Sequence, residues 1–288
     1  MKWYCWHIFY YDDLNKVIKK HISEINTYVK ELIEDEIRWF YIRYWQGGQH
    51  IRYRVMLEDD EQAIRVEERL RLIAKNNLSK AKVDYNKLIN EQKIFSKLEG
   101  EKEVEIQLDN SVIRFEYERE YFKYGGKEGI EISETHFMNS SDFAQSILYK
   151  TDKNGEIFVV ALECMLSYFL LLGIKKDEII NGLRRYSNIW IDFLGLSIDK
   201  VQKVFDKKYK NQCELFNKYT SYYIENQKSN LFEEEHDLWI KNLKETFSEL
   251  EKKFGAINYK NAKVLTVISN FIHVDNNRLG VIPIEEVY

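Results

Sequence analysis

The stretch Trp39–Val55, which reads WFYIRYWQGGQHIRYRV, most strongly constrains the fold of this chain. Two runs of aromatic and β-branched residues flank a short connection that contains two glycines, and this pattern predicts a β-hairpin. Because side chains alternate between the faces of a strand, Arg52 and Arg54 are predicted to share one face. We expect Arg43 to project nearby from the first strand, so that the hairpin carries its charges on one face.

The arginines of this hairpin allow two interpretations. A guanidinium among aromatic side chains costs free energy unless a carboxylate or another anion pairs with it. One interpretation is therefore an amphipathic hairpin with a solvated basic face, and the other is an anion-binding site. The hairpin alone favours the solvated face, and both interpretations stay open at this point.

Length and composition indicate a folded protein without a general affinity for nucleic acid. The chain has 288 residues, of which 44% are hydrophobic and 15% aromatic, and it can bury a large core as one large domain or two closely packed ones. Its formal net charge of −4 gives no overall attraction to nucleic acid or to anionic membranes. The three cysteines, Cys5, Cys164 and Cys213, form no C-x-x-C motif, which fits a reducing cytoplasm.

Neither the N-terminus nor the most apolar segment predicts membrane insertion. The first residues lack the continuous apolar stretch and the cleavage site of a signal peptide. The run Ile157–Leu172 is interrupted by Glu163 and is shorter than the roughly 20 residues that span a bilayer. We therefore predict a buried helix.

The order of predicted elements indicates the α+β class. In the first half we expect a strand at Trp3–Tyr11, a helix at Asp13–Glu34 with Asp13 as its N-cap, the hairpin at Trp39–Val55 and a second helix at Glu61–Lys75. The region Leu78–Gly100 could be a loop or a small helix, and two short strands are expected after it, at Val104–Leu108 and Ser111–Tyr117. Gly125 and Gly126 then allow a sharp turn.

Helical patterns dominate from Ser133 onward. Ser133 or Thr135 is a candidate N-cap for a helix through the region 143–148. The later helices are predicted at Glu156–Leu172, Asp177–Leu194, Ile198–Ser229, from the acidic run Glu233–Glu235, and at Asn261–His273. We predict one domain, residues 1–288, in which a sheet-rich part, 1–130, with a mixed or antiparallel sheet packs against a mainly helical part, 131–288.

The histidines include two candidates for chemistry. None of the six has a second His, Cys or carboxylate at metal-ligand spacing, so no metal site is predicted, and no nucleotide or cofactor motif is present. His136 is expected to face solvent. His50 lies at the hairpin turn beside Arg52, and His273 is predicted to end a helix, where the dipole favours a charged imidazole that can donate a proton. A capping histidine without function is the alternative for His273.

Several motifs, in order, resemble a known family. They are RYWQGGQHIRYR in the hairpin, YEREYFKYGG, the pair Glu134 and Phe137, and HVDNNRLG near the C-terminus. Together they resemble the C-terminal, glutamate-elimination domain of class I lantibiotic dehydratases, and the resemblance spans nearly the whole chain. That domain also occurs as a separate protein in thiopeptide-type bacteriocin pathways, and we expect this chain to be such a stand-alone form.

The resemblance implies modification of a ribosomally made precursor peptide. A separate, tRNA-dependent glutamylating dehydratase subunit would esterify Ser or Thr side chains with glutamate. This chain would then remove the α-proton and expel glutamate, leaving dehydroalanine or dehydrobutyrine. The implied partners are the precursor peptide and the glutamylating subunit, without direct nucleic-acid or membrane contact, in the cytoplasm and without a cofactor; monomer or homodimer stays open.

The resemblance also implies roles for individual residues. Arg52, Arg54 and Arg119 would bind the glutamyl carboxylates and stabilise the developing oxyanion, because a planar guanidinium meets a carboxylate with two bonds. His273 would transfer a proton to or from the departing group. We predict substrate-binding positions around these four catalytic residues at Arg43, His50, Tyr124 and Arg278. A buried ion-pair network is the alternative for the surrounding residues.

Departures from the family pattern leave the substrate open. Lys123 stands where the family often has arginine, Ser140 and Ser141 stand where it usually has Asp-Ser, and the turn lacks the usual Asp and Pro. Two alternatives to elimination remain: a pyridine synthase, which joins two dehydroalanines by a formal [4+2] cycloaddition and releases the leader peptide, and a non-catalytic precursor-binding subunit. The presence of all four catalytic-type residues favours elimination.

Overall fold

A computed structural model describes residues 1–210, 213–258 and 260–286. It divides the chain into two compact units, Met1–Arg119 and Glu120–Tyr288. The strands lie in the first unit, and the described part of the second unit is built from helices. The protein is therefore of the predicted α+β class.

The first unit is organised around a four-stranded antiparallel sheet with the strand order β2-β3-β1-β4. The strands are β1 (Lys2–Phe9), β2 (Trp39–Tyr44), β3 (His50–Leu57) and β4 (Val112–Phe115). β2 and β3 form the predicted hairpin. Its aromatic and β-branched residues suit a pleated, half-buried surface, which explains why this stretch is extended.

Helices cover one face of this sheet. The helical elements of the first unit are α1 (Leu14–Lys16), a π-helical segment (Val17–Ile22), α2 (Ser23–Ile33), α3 (Asp60–Asn76) and α4 (Tyr85–Glu99). Asp13 caps α1 as predicted, since its side chain accepts a hydrogen bond from the backbone N–H of Asn15. Tyr53 of β3 donates to Asn26 of α2 at 2.8 Å, which ties the covered face of the sheet to the helices.

The connection between α3 and β4 agrees with the prediction only in part. The region predicted as a loop or small helix contains the helix α4, but the predicted strand Val104–Leu108 is not a strand. Instead, Gln107 N–H donates to the carbonyl of Gly47 at 2.8 Å, and the side chain of Gln92 donates to the carbonyl of Val104 at 2.6 Å. Isolated hydrogen bonds of this kind satisfy the backbone without a neighbouring strand. Sequence periodicity alone does not distinguish such an extended segment from a strand.

The second unit contains eight helices in its described part. They are α5 (Gly126–Lys150), α6 (Asn154–Leu171), α7 (Lys176–Phe193), α8 (Ile198–Lys210), α9 (Cys213–Asn226), α10 (Glu233–Phe254), α11 (Ala262–Leu279) and α12 (Pro283–Glu286). The long polar helix predicted from Ile198 appears as α8 and α9, and residues 211 and 212 between them lie outside the described residues. α10 and α11 pack against α5, and α11 also packs against α6.

Helix α5 begins earlier than predicted, at Gly126 rather than near Ser133 or Thr135. Gly126 has φ +87°, a left-handed conformation that glycine adopts without strain. A Cβ atom at Gly129 would lie 1.8 Å from the carbonyl oxygen of Tyr124, so the chain folds back closely at this helix start. Ser133 is fully buried within the helix, where its hydroxyl donates to the carbonyl of Gly129. The N-cap prediction is therefore wrong.

Helix α6 contains the most apolar segment of the chain. By length and composition alone it could cross a membrane, but 56% of that segment is buried, as in the core helix of a soluble protein. Glu163 in this helix is buried and accepts a hydrogen bond from Tyr219 of α9. These contacts agree with the predicted buried helix.

Glu163 makes the stability of the second unit depend on pH. Burial raises its pKa to about 7, from an ordinary value of 4.5. Because the folded carboxyl holds its proton more tightly than the unfolded one, its contribution to stability is largest below pH 4.5 and falls as the pH rises toward 7. The loss is on the order of 2–3 kcal/mol.

We expect Glu163→Gln to change the free energy of unfolding, relative to wild type, more favourably at about pH 8 than at about pH 5. Urea unfolding of wild type and variant at both pH values measures this change. The difference between variant and wild type at each pH cancels the contributions of the other titrating groups. Glu156→Gln, on the same helix but at its partly exposed start, is the matched control. An effect of Glu163→Gln that is the same at both pH values would contradict the raised pKa.

Candidate functional site

The two arginines of β3 lie side by side on one face of the sheet, opposite Ile51, Tyr53 and Val55. Ile51, Tyr53 and Val55 are 0% exposed, whereas Arg52 and Arg54 between them are half-buried. This alternation is the predicted one. Two guanidiniums therefore project from the same face of the strand.

Aromatic rings orient both guanidiniums. The guanidinium carbon of Arg52 lies 3.4 Å from the ring centre of Tyr44 on β2. That of Arg54 lies 4.8 Å from the ring centre of Tyr117 and 5.3 Å from that of Phe40. Contacts of this kind contribute about 0.5–2 kcal/mol each and hold the planar group in a defined orientation.

Arg54 retains capacity to bind an anion. Its Nε is buried and has no hydrogen-bond partner. Within the described residues, Arg54 also forms no ion pair with a carboxylate. A buried donor on a cationic group without an acceptor is costly, and a carboxylate ligand would satisfy it with strong, charge-assisted bonds. This property favours the anion-site interpretation of the hairpin over the solvated face.

Two neutral histidines lie beside these arginines. The rings of His7 and His50 stack with their centres 4.5 Å apart. Burial, followed by the charges of Arg52 and Arg54, lowers the pKa of His50 to about 3. Burial, together with His50 and the same two arginines, also lowers the pKa of His7. Near neutral pH the positive charge of this face is therefore carried by the guanidiniums.

His50 positions Arg52. In the neutral ring, Nδ1–H donates to the carbonyl of Gly48 at 2.8 Å, which leaves Nε2 as an acceptor. Arg52 Nε donates to that Nε2 at 3.4 Å. The substrate-binding role assigned to His50 stays a prediction. Its contact with Arg52 would allow it to affect substrate binding indirectly, by orienting that guanidinium.

Arg43 lies on the opposite face of the hairpin. It pairs with Ile51 across the ladder, and its Nη2 donates to Asn15 Oδ1 at 2.7 Å, within the helical layer. The expectation that the hairpin arginines share one face is therefore wrong for Arg43. Residues directly opposite in an antiparallel pair project to the same side, and Ile51 belongs to the buried side. The structure does not bring Arg43 together with Arg52 and Arg54.

Arg119 is half-buried in the irregular segment after β4. Tyr117, two residues earlier, packs edge-on against Phe40 and Trp3 as well as against Arg54. The segment that carries Arg119 therefore reaches the arginine-bearing face of the sheet. The catalytic role of Arg119 stays a prediction.

His273 lies inside α11 and not at its end. The helix begins close to its predicted start, after the N-cap Asn261, but continues to Leu279 and stops at Gly280, whose φ is +91°. Since the dipole effect is confined to the last turn, it does not explain the chemistry of His273, and this part of the prediction is wrong. The polar residues after His273 continue the helix, and Asp275 and Arg278 among them make buried side-chain hydrogen bonds to Ser140 and Ser141.

Glu286 pairs with His273. His273 Nδ1 lies 2.9 Å from Oε1 of Glu286, and its ring centre lies 4.6 Å from that of Trp190. The side chain of Glu286 is 0% exposed and also accepts a hydrogen bond from Tyr186, whereas that of His273 is 28% exposed. Sequence reasoning missed Glu286, for which the only local signal was the start of a short helix at Pro283.

A buried polar network occupies the centre of the second unit. Asp275 Oδ1 lies 3.0 Å from His136 Nε2 and accepts a hydrogen bond from Ser140 at 2.5 Å. Its Oδ2 accepts one from Tyr168 at 2.5 Å. His136 is 2% exposed and stacks on Phe271, so the expectation that it faces solvent is wrong. The hydrogen bonds of Asp275 allow this polar cluster to be buried.

Two predicted substrate-binding residues are buried near that network. Arg278 Nη1 lies 3.8 Å from Asp275 Oδ1, and its Nε donates to Ser141 at 3.1 Å. Tyr124 is 3% exposed, and its ring packs against Phe137. These contacts fit the buried-network alternative, and the substrate-binding roles of Arg278 and Tyr124 stay predictions. Within the described ranges no group of three or more His, Cys, Asp or Glu could hold a metal.

Comparison with known proteins defines the class to which this fold belongs. Residues 3–288 match the model of the family described as lantibiotic biosynthesis dehydratase, C-terminal. The chain belongs to this family. Among characterised relatives, it is 27% identical over 165 residues to nisin biosynthesis protein NisB of Lactococcus lactis subsp. lactis. That alignment covers 57% of this chain and 15% of NisB, so the chain matches only a small part of its relative.

Solved structures share the fold at low sequence identity. The pyridine synthase TbtD from thiomuracin biosynthesis is 12% identical, with a TM-score of 0.79 over 100% of this chain and 94% of TbtD. TsrL is 14% identical, with a TM-score of 0.66 over 99% of this chain and 92% of its own. The tRNA-dependent lantibiotic dehydratase MibB from Microbispora sp. 107891 is 15% identical, with a TM-score of 0.51 over 99% of this chain and 27% of MibB.

Proposed function

We propose that this protein eliminates glutamate from glutamylated Ser or Thr residues of a ribosomally made precursor peptide. In this reaction the Cα–H and Cβ–O bonds break, the Cα–Cβ double bond forms, glutamate departs with the electron pair of the Cβ–O bond, and the α-proton passes through a base to the released glutamate or to solvent. The products are dehydroalanine or dehydrobutyrine and free glutamate. The chain would act as a lyase in the biosynthesis of a lantibiotic or a thiopeptide-type bacteriocin.

The observation that carries this proposal is the pair of arginines on one face of β3. Arg52 and Arg54 project side by side from a rigid sheet, and Arg54 has no carboxylate partner within the described residues. The elimination develops negative charge on an enolate oxygen and on the glutamyl carboxylate. Fixed guanidiniums stabilise such charge without reorganising during the reaction.

The remaining catalytic roles are assigned by the family resemblance. Arg119 would add a third guanidinium for the carboxylates, and His273 would exchange a proton with the departing group. The pairing of His273 with Glu286 at 2.9 Å is consistent with an imidazole held in a fixed orientation. Substrate-binding roles for Arg43, His50, Tyr124 and Arg278 are proposed as well, and among these residues His50 contacts Arg52 at 3.4 Å.

The proposed partners follow from the reaction. The glutamyl ester would be supplied by a separate tRNA-dependent glutamylating enzyme, which is the partner that the family resemblance implies. The chain would bind the modified precursor peptide in the cytoplasm, without a cofactor and without direct contact to nucleic acid or membrane. Its assembly state, monomer or homodimer, stays open.

The alternative function is that of a pyridine synthase. The observation in its favour is the fold similarity to TbtD, which extends over 94% of that enzyme. Such an activity would join two dehydroalanines and release a leader peptide. A precursor-binding subunit without catalysis is the third possibility.

One experiment separates these functions. The purified protein is incubated with a synthetic peptide that carries a glutamyl ester on one serine, and free glutamate and peptide mass are followed over time. We expect release of glutamate and formation of dehydroalanine at a rate that depends on protein concentration. In a second arm, a leader-bearing peptide that already contains two dehydroalanines should remain linear. Release of a leader and a macrocycle in that arm would instead identify a pyridine synthase, and binding without turnover in both arms would identify a binding subunit.

A further inference from the structure

We infer that Glu286 is a positioning residue that makes Nε2 of His273 the proton-exchanging atom of this protein. The inference rests on the proposed elimination and assigns a role to a residue that neither the motifs nor the family resemblance pointed to. It follows from the geometry around the His273 ring, which is held on one edge and one face.

The carboxylate of Glu286 is itself fixed by two donors. Oε1 lies 2.9 Å from His273 Nδ1, and Oε2 accepts a hydrogen bond from the hydroxyl of Tyr186. Burial, with a further contribution from Glu286, raises the pKa of Tyr186, so this hydroxyl keeps its proton and remains a donor. Because the Glu286 side chain is 0% exposed, water does not compete for these two bonds.

The ring of His273 is therefore restricted on two sides. Trp190 packs with its ring centre 4.6 Å away and an interplanar angle of 47°, which limits rotation of the imidazole. Nδ1 faces Glu286, and within the described part of the chain Nε2 has no hydrogen-bond partner. His273 is also the exposed member of the pair, with 28% of its side chain accessible. Of the two ring nitrogens, Nε2 is therefore the one available to a substrate group.

A carboxylate on Nδ1 determines which proton moves. A carboxylate accepts but does not donate, so Nδ1 keeps its hydrogen in both the charged and the neutral ring. In the neutral ring, the Nε2 lone pair can take the α-proton, and the Nε2–H so formed can pass that proton to the departing glutamyl oxygen as the Cβ–O bond breaks, so that the ring returns to neutral with Nδ1–H still bound by Glu286. The opposite tautomer, with hydrogen on Nε2 alone, would have no hydrogen to offer Glu286.

The test combines a spectroscopic and a kinetic measurement on the full chain. Nitrogen-15 NMR of histidine-labelled protein, with His273 assigned by comparison with His273→Asn, reports which nitrogen carries the hydrogen in the neutral ring. Wild type should show the Nδ1–H tautomer. Glu286→Gln keeps the shape but presents an amide that can donate to Nδ1, so it should shift the ring toward the Nε2–H tautomer and lower kcat at least about tenfold, with KM changed less than about threefold.

Two variants provide the comparison. Glu285→Gln removes the same charge from the adjacent position of α12, where the side chain accepts a hydrogen bond from Ile282 N–H and does not contact His273. It should leave both the tautomer and kcat unchanged. Glu286→Asp restores the carboxylate and should recover part of the kcat that Glu286→Gln loses.

The outcomes separate this inference from the proposed function. A wild-type spectrum with the Nε2–H tautomer, or a Glu286→Gln protein with wild-type kcat, overturns the role of Glu286. If Glu286→Gln does not fold, the tautomer seen in the wild-type spectrum decides the question by itself. Absence of glutamate release from wild type, with the Nδ1–H tautomer present, overturns the elimination and with it the catalytic use of the pair, while the pairing itself stands.

Discussion

Replacing Arg54 with alanine is expected to lower kcat/KM for glutamate release at least about 100-fold, as the loss of one fixed donor to a developing oxyanion does in other enzymes. The Nε of Arg54 is buried and has no hydrogen-bond partner within the described residues. Its removal deletes a charge that would bind the carboxylate or the enolate oxygen. It also removes an unsatisfied buried donor, which offsets the loss of the ring contacts with Tyr117 and Phe40, so the free energy of unfolding should fall by no more than about 2 kcal/mol.

Arg54→Lys refines this expectation. A lysine keeps the charge but presents a single ammonium, which cannot form the two parallel bonds of a guanidinium to a carboxylate. It should also lose the stacking of a planar group on Tyr117 and Phe40. We expect its kcat/KM to lie between those of wild type and Arg54→Ala.

Arg114→Ala is the matched control for this series. Arg114 is on β4 of the same sheet, but it is exposed and pairs with the exposed Asp60 at 2.7 Å. An exposed ion pair contributes about 0–1 kcal/mol, so this variant should retain both stability and activity. Circular dichroism and urea unfolding establish folding, and the glutamate-release assay measures kcat/KM. Full activity of a folded Arg54→Ala protein would remove Arg54 from the site and weaken the proposed elimination.

The fold was predictable from sequence where local patterns agree with the final packing. The hairpin, the cap at Asp13 and the helix α3 combine strong periodicity with a recognisable end signal, and all three were predicted. The start of α5 at Gly126 was not, because it depends on a close approach between Gly129 and the Tyr124 carbonyl that only the folded chain reveals. The strand predicted at Val104–Leu108 is wrong for a similar reason, because the backbone hydrogen bonds of this segment go to residues that are distant in sequence.

The candidate site was predictable only in part. Alternation within one strand was sufficient to place Arg52 and Arg54 on the same face. The face of the sheet to which Arg43 projects depends on its pairing with Ile51 on the neighbouring strand. The sequence of the first strand alone therefore could not determine it. Glu286 is 13 residues beyond its partner His273, outside any motif, and its role follows only from a contact in the folded unit.

Replacing Asp275 with alanine is expected to destabilise the second unit by about 3–5 kcal/mol, because it leaves buried charge and buried donors without a partner. Asp275 accepts hydrogen bonds from Ser140 and Tyr168 and contacts His136 and Arg278. None of these groups can reach water when the carboxylate is removed, since all are at most 4% exposed. The expected measurement is a lower midpoint of urea unfolding.

The charge of Asp275 also predicts a dependence on acid. Burial by itself raises the pKa of Asp275, but His136, Arg278 and Ser140 outweigh it and hold that pKa below its ordinary value of 3.8. The folded state therefore binds this proton less tightly than the unfolded state. The stabilisation is complete above pH 3.8 and is lost as the pH falls through the lower pKa of the folded state.

The comparison with Asp237→Ala distinguishes a structural role of Asp275 from a catalytic one. Asp237 is 61% exposed on α10, and its removal should cost less than about 1 kcal/mol. If Asp275 is structural, Asp275→Ala should lose stability, and the fraction that remains folded in mild conditions should retain kcat within about threefold of wild type. A stable Asp275→Ala protein without turnover would instead place this carboxylate in the chemistry. The HVDNNRLG motif is thus expected to combine two functions within one helix, proton exchange at His273 and a buried network at Asp275 and Arg278.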